Sequence, residues 1–119
     1  MNVFAKLLSI LGSRREPDPE HAVLVHFAYG TTDLQPLLAL EAALRKAIRQ
    51  SRTGEYDGNE VAVDGSDGYL YMYGPSADAL FASVRPILEA TPFMRRATVT
   101  LRYGPPSDGV RENVVVLST

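Results

Sequence analysis

Hydrophobic residues recur at helical spacing in two segments of the domain. Both sets are spaced three or four residues apart, which predicts amphipathic helices with one buried face. Pro36 suits the first turn of the first helix, and Ser76 suits the N-cap of the second. Pro86 lies inside the second helix, where it predicts a kink or an early final turn. The first set is Leu37, Leu40, Leu44, Ala47 and Ile48, and the second is Leu80, Phe81, Val84, Ile87 and Leu88.

Strand-like segments surround these helices. Residues 60–64 and 69–73 alternate with a period of two, and the Gly-Ser-Asp-Gly run between them predicts a hairpin loop. The polar residues 51–58 read as a connection. The resulting order is βαββαβ followed by one more strand, which predicts a ferredoxin-like α+β two-layer sandwich with an additional C-terminal strand. The predicted strands cover residues 22–29, 60–64, 69–73, 97–103 and 110–118.

The first twelve residues form a separate amphipathic pattern. Residues 1–12 predict a short helix, and the charged, proline-containing residues 13–20 predict a linker to a single domain at 21–119. So short a helix needs a surface to be stable. Its own sheet, a partner subunit or a membrane could supply one, and we favour protein because the helix has few cations on its polar face. Its expected contact residues are Phe4, Leu7, Leu8 and Leu11.

Alternation along the strands predicts which side chains face away from the helices. The bulky aliphatics Val61, Val63, Leu70 and Met72 belong under the helices. The opposite face then presents aromatic rings with polar tips, which is too apolar a surface to be left in water without a purpose. Its predicted residues are His26, Ala28, Glu60, Ala62, Asp64, Tyr69, Tyr71, Tyr73, Thr98, Thr100 and Arg102.

This face leaves two classes of function open. Tyrosine-rich surfaces of low charge are typical of protein interfaces, so we expect a non-catalytic binding module that associates with itself, as a homodimer, or with another protein. The alternative is a small-molecule site or an enzyme that uses the tyrosines with His26 and Arg102. His26 paired with Glu60 or Asp64 could transfer a proton, but no nucleophile accompanies the pair, so no catalytic residue is assigned.

Composition and charge exclude several other functions. The 119 residues contain no cysteine and carry a net charge of -2. Thiolate metal sites are therefore excluded, no histidine-rich metal spacing occurs, and we expect neither metal nor cofactor. Nucleic-acid binding needs clustered cations that this chain lacks. No apolar run reaches the length of a membrane span, and the absence of disulfides favours a cytoplasmic protein.

Part of the domain resembles small uncharacterised bacterial proteins. The resemblance rests on EYDGNEVAVDGSDGYLYMYGPSADALF, which begins at Glu55, and on the later VTLRYGPP, which ends at Pro106. It implies the ferredoxin-like α+β fold and a bacterial origin, and it implies no activity.

Overall fold

The structure, a computed structural model, describes residues 20–118 as two helices packed on a five-stranded antiparallel sheet. The predicted helix at residues 1–12, with Phe4, Leu7, Leu8 and Leu11, and the linker up to residue 19 lie outside the described residues. In chain order the elements are β1 (His21–Ala28), α1 (Gln35–Ser51), β2 (Glu55–Val61), β3 (Asp67–Gly74), α2 (Ala77–Glu89), a 3₁₀ turn (Pro92–Met94), β4 (Thr98–Arg102) and β5 (Glu112–Val116).

The strands lie in the order β2-β3-β1-β4-β5. Every neighbouring pair is antiparallel, including the two pairs that β1 forms with β3 and β4. Strand β1 is therefore central, while β2 and β5 form the two edges of the sheet. Helix α1 connects β1 to β2, and helix α2 connects β3 to β4. Both helices lie on the same side of the sheet, so one face is covered by helices.

Local chemistry explains where the helices begin and end. The Asp33 carboxylate accepts a hydrogen bond from the Gln35 N–H at the start of α1. Left-handed Arg52 ends that helix, with its N–H donating to the Ile48 carbonyl. At the start of α2 the Ser76 hydroxyl accepts from the Ala79 N–H, as the sequence predicts for an N-cap. Helix α2 continues past Pro86 to Glu89.

The core lies between the helices and the covered face of the sheet. Val23 and Val25 of β1 stand beside Met72 and Leu70 of β3 and are fully buried. The stripes of both helices are buried as well, except for half-buried Ala47 and Ile87. Phe27 crosses Gly68, where a Cβ atom would lie 2.9 Å from the Phe27 ring. Glycine is therefore required there for close packing.

The second strand differs from its prediction. It spans Glu55–Val61 instead of residues 60–64, and a bulge lies between Tyr56 and Gly58. Residues 62–66 form the turn, so the predicted loop residues Asp67 and Gly68 belong to β3. Val63 is fully exposed in this turn instead of lying under the helices, because buried Tyr56 and half-buried Val61 fill that side of β2.

Within residues 20–118, neither helix combines the length and the hydropathy that a membrane crossing demands.

Candidate functional site

The sheet face opposite the helices, which we call the open face, collects most of the residues that the sequence predicts for a site. Strand register arranges its side chains in three rows that run across the sheet. The rows are Glu55–Tyr73–Ala22–Arg102–Glu112, then Gly58–Tyr71–Leu24–Thr100–Val114, then Glu60–Tyr69–His26–Thr98–Val116.

Three aromatic rings are stacked at the centre of this face. The His26 and Tyr69 rings lie 4.5 Å apart between centroids with an interplanar angle of 19°. The Tyr69 and Tyr71 rings follow at 6.0 Å and 12°. The cause is the register, since His26 is paired directly with Tyr69 and side chains two residues apart along β3 project from the same face. The stack therefore presents ring edges to whatever covers the face.

Carboxylates at both ends of the stack hold its polar atoms. The His26 Nε2 lies 2.8 Å from an Asp67 carboxylate oxygen, and the Tyr71 hydroxyl donates to Glu60 at 2.5 Å. The hydrogen bond to Glu60 is the main reason that the pKa of Tyr71 rises to about 12. These two contacts restrict the orientation of the rings at both ends of the stack.

The carboxylate that pairs with His26 differs from the two that the sequence predicts. Glu60 and Asp64 are its expected partners, but Glu60 binds Tyr71, and Asp64 lies in the β2–β3 turn. There its carboxylate accepts from the Ser66 hydroxyl and next from the Ser66 N–H, and these hydrogen bonds lower the pKa of Asp64. Asp67 takes the role because it sits two residues before Tyr69 on β3, diagonal to His26 on the same face. Asp64 and Ala62 therefore leave the predicted site.

Arg102 and Tyr73 lie on the open face but apart from His26. They flank fully buried Ala22 in the first row, whereas His26 stands in the third. The Arg102 Nε donates to the Gly104 carbonyl at 2.7 Å, which ties the side chain to the β4–β5 turn. Burial raises the pKa of Tyr73, and the charge of Asp57 adds to this. The structure thus does not bring Arg102 and His26 into one small site.

Charge and hydropathy change across the open face. Its β2 margin carries the exposed carboxylates Glu55 and Glu60. Its β5 margin carries Val114 and Val116, which are 57% and 62% exposed, and Tyr69 between the margins is 42% exposed. The β2 side of the face is therefore acidic, and the β5 side is apolar except for Glu112 at the end of the first row.

A buried carboxylate on α1 is the polar feature that sequence reasoning misses. Glu41 is 4% exposed and accepts hydrogen bonds from the Tyr56 hydroxyl at 2.6 Å and the Asn59 amide at 2.7 Å. The Arg45 guanidinium lies 4.9 Å from the centre of the Tyr56 ring. Burial, and next the bond to Glu41, raises the pKa of Tyr56. A signal exists in the sequence, since Glu41 falls four residues after Leu37 on the buried stripe.

Asn59 also lines a surface depression of about 280 Å³ at one end of the sheet. Thr31, Thr32, Leu34 and Val63 also line it. Among residues 20–118, no three histidine, aspartate or glutamate side chains converge as a metal site would require. Nor does any hydroxyl in this part of the chain hydrogen-bond His26, whose ring pairs with Asp67.

Comparison with known proteins adds no assignment: no family model, curated protein or solved structure matches the chain. The resemblance of residues 55–106 to small bacterial proteins therefore stays a prediction.

Proposed function

We propose that this protein is a non-catalytic, cytoplasmic binding module with a ferredoxin-like domain, and that a second copy covers its open face. The strand order β2-β3-β1-β4-β5 with both helices on one side supports the ferredoxin-like assignment, with β5 as an addition at one edge. Of the described residues, none forms a further layer over the open face. An antiparallel sheet can leave a polar face in water, but an exposed face rich in apolar and aromatic side chains is typical of an interaction surface.

The stacked rings of His26, Tyr69 and Tyr71 carry this proposal. Aromatic side chains with two rotatable bonds bring large contact areas to an interface at a small cost in conformational entropy. Stacking and the two carboxylate hydrogen bonds have already restricted these rings, so less freedom is lost on association. Exposed Val114 and Val116 extend the apolar surface towards β5.

Two polar groups of the aromatic stack already have hydrogen-bond partners within the chain. Tyr71 is satisfied by Glu60 and His26 by Asp67, so a partner need not supply hydrogen bonds for these atoms. The acidic β2 margin repels phosphates, which makes nucleic acid a poor occupant. Two copies that pack face to face place sheets about 10 Å apart and interdigitate their side chains.

Tyr69→Lys tests the proposal. In the folded monomer the new ammonium stands opposite Glu60, so the fold tolerates it. Burying that ammonium against a second copy costs more than 1.4 kcal/mol, and we expect self-association to weaken at least about tenfold. The matched control is Leu38→Lys on α1, since Leu38 is 50% exposed but lies on the helix layer.

Sedimentation equilibrium over a range of concentrations provides the measurement. A weaker dimer for Tyr69→Lys with unchanged association for Leu38→Lys supports the proposal. Equal masses for wild type and Tyr69→Lys, whether both are monomers or both are dimers, contradict it.

The exposed His26–Asp67 pair favours a second candidate, a small-molecule site on the same face. These two side chains are 45% and 48% exposed, so a ligand can reach them. Saturable shifts of the His26 ring protons in NMR titrations with small-molecule candidates, abolished by Asp67→Asn, would favour this function. Shifts that occur only on dilution of the protein would instead reflect self-association.

A further inference from the structure

The two edges of the sheet differ in how well they resist pairing with another strand. The β2 edge contains the bulge between Tyr56 and Gly58, and it presents the exposed carboxylates of Glu55, Asp57 and Glu60. Bulges and charges of this kind are the usual protection of an edge strand. The β5 edge has a regular register along all five of its pairs with β4 and contains three consecutive valines.

Among residues 20–118, β5 has a neighbouring strand on one side only. The Tyr103 N–H donates to the Arg111 carbonyl, and the Leu117 N–H donates to the Ala97 carbonyl. Hydrogen-bonded pairs alternate with non-hydrogen-bonded pairs in an antiparallel ladder. Every second residue from Arg111 to Leu117 therefore points its N–H and C=O towards β4, and the others point away. The outward groups belong to Glu112, Val114 and Val116.

We propose that β5 pairs in antiparallel orientation with β5 of a second copy, about a two-fold axis at Val115. In this register Val114 stands opposite Val116 of the other copy, and the outward backbone groups of both strands form the new hydrogen bonds. Apolar side chains meet apolar side chains on the open face, and half-buried Val115 meets its own copy on the helix side. Two five-stranded sheets become one continuous sheet.

The side chains that face each other favour this register over the neighbouring one. A two-fold axis at Val114 would place Glu112 opposite Val116, which sets a carboxylate against an apolar side chain. The axis at Val115 instead places Glu112 opposite Ser118, and no like charges face each other. Because the strand complements itself in this register, a second copy is the occupant that fits β5, in preference to an unrelated peptide.

This surface shares the side chains of Val114 and Val116 with the open face, but its hydrogen bonds come from the β5 backbone, which the proposed function does not use. Edge pairing uses the backbone of β5, whereas face-to-face association uses the side chains of β1, β3 and β4 as well. Either contact can therefore be absent while the other forms. A variant that changes the β5 backbone tests edge pairing alone.

Disulfide trapping tests the pairing, since the natural chain has no cysteine to interfere. In the proposed register Val115 faces its own copy in a non-hydrogen-bonded pair with Cα atoms about 4.5 Å apart, which suits a disulfide. Val115→Cys should therefore form a covalent dimer on mild oxidation. Val114→Cys should form at least about tenfold less covalent dimer, because position 114 of the other copy lies diagonally across the strand pair, at about 7–8 Å.

A proline variant confirms that the trapped species uses the β5 backbone. Val114→Pro removes an outward N–H and retains an apolar side chain, so an edge strand accommodates it in the monomer. Added to Val115→Cys, it should abolish the covalent dimer, whereas Tyr69→Lys added to Val115→Cys should leave that dimer in place.

Three results would overturn the proposal: no covalent dimer for Val115→Cys, equal trapping at positions 114 and 115, or trapping that survives Val114→Pro. Circular dichroism of the proline variant establishes that it is folded. Were it unfolded, Val116→Lys would replace it, because a lysine there stands opposite Val114 of the other copy and should also abolish trapping. Loss of trapping only with Tyr69→Lys would assign the contact to the open face instead.

Discussion

Two tyrosines of this protein donate to glutamates in opposite environments. Tyr56 donates to Glu41 in the interior, and Tyr71 donates to Glu60 at the surface. A hydrogen bond to a buried charge contributes more, because its loss leaves the carboxylate poorly solvated, whereas water replaces a lost partner at the surface. The pair therefore allows the same atom to be removed in both settings.

We expect Tyr56→Phe to lower the free energy of unfolding by about 1.5–3 kcal/mol, since Glu41 then keeps Asn59 as its donor among residues 20–118. Tyr71→Phe, the matched control, should change it by no more than about 0.5 kcal/mol. Urea denaturation of the two variants measures both values. Similar losses would mean that Glu41 is hydrated and that its burial contributes nothing special.

The residues of the open face were predictable to the extent that alternation decides them. His26, Tyr69, Tyr71, Tyr73 and Arg102 lie on one face because side chains alternate along a strand wherever the strand begins. Their partners were not predictable, since these depend on the pairing register of different strands. The hydrogen bonds of Glu41 could not be predicted for the same reason, since its donors Tyr56 and Asn59 both come from β2.

At the scale of elements, the sequence predicts two helices and a five-stranded sheet within the domain, and the structure confirms them for residues 20–118, while the helix predicted at residues 1–12 stays a prediction. Helix α1 and helix α2 have many apolar positions each, so their signal is strong. The beginning of β2 has a weak signal, because the residues Glu55–Gly58 are mostly polar or glycine, which is typical of a turn. They form a strand because β3 offers its edge and the Tyr56 ring is buried. Tertiary packing thus outweighs local propensity there.

The β2–β3 turn depends on a glycine for two reasons. Gly65 has φ +74°, and a Cβ atom there would lie 2.2 Å from the Thr31 carbonyl oxygen. Gly109 in the β4–β5 turn has nearly the same φ of +79°, but it has no atom within 4 Å of such a Cβ. The two positions separate backbone strain from steric conflict.

For Gly109→Ala we expect a loss of about 1–2 kcal/mol of unfolding free energy, which is the cost of a left-handed alanine. For Gly65→Ala the loss should exceed that of Gly109→Ala by more than about 2 kcal/mol, because the β1–α1 loop must also move. Thermal or urea unfolding of both variants decides the matter. Equal losses would show that Thr31 moves away from the new methyl group with no further loss of unfolding free energy.

At the scale of the whole molecule, the two proposed surfaces have different orientations. The open face lies on the broad side of the sheet, whereas the β5 edge lies along its rim. A two-fold axis for edge pairing is perpendicular to the sheet, and one for face-to-face packing lies parallel to it. If these two perpendicular axes intersect, they generate a closed assembly of four copies, whereas axes that do not meet generate an open fibre.

The solution mass therefore distinguishes the surfaces when their variants are combined. At concentrations high enough to saturate both contacts, we expect four copies for the wild type and two copies for either Tyr69→Lys or Val114→Pro alone. The double variant should be a monomer, because it lacks both contacts. Light scattering across concentration provides these masses, with Leu38→Lys as the variant that should retain the wild-type value. If Tyr69→Lys alone yields a monomer, the edge is too weak to hold two copies without the face. If Val114→Pro alone yields a monomer, the open face is the weaker surface. Its rings then contact another copy only when β5 pairing has formed the continuous sheet.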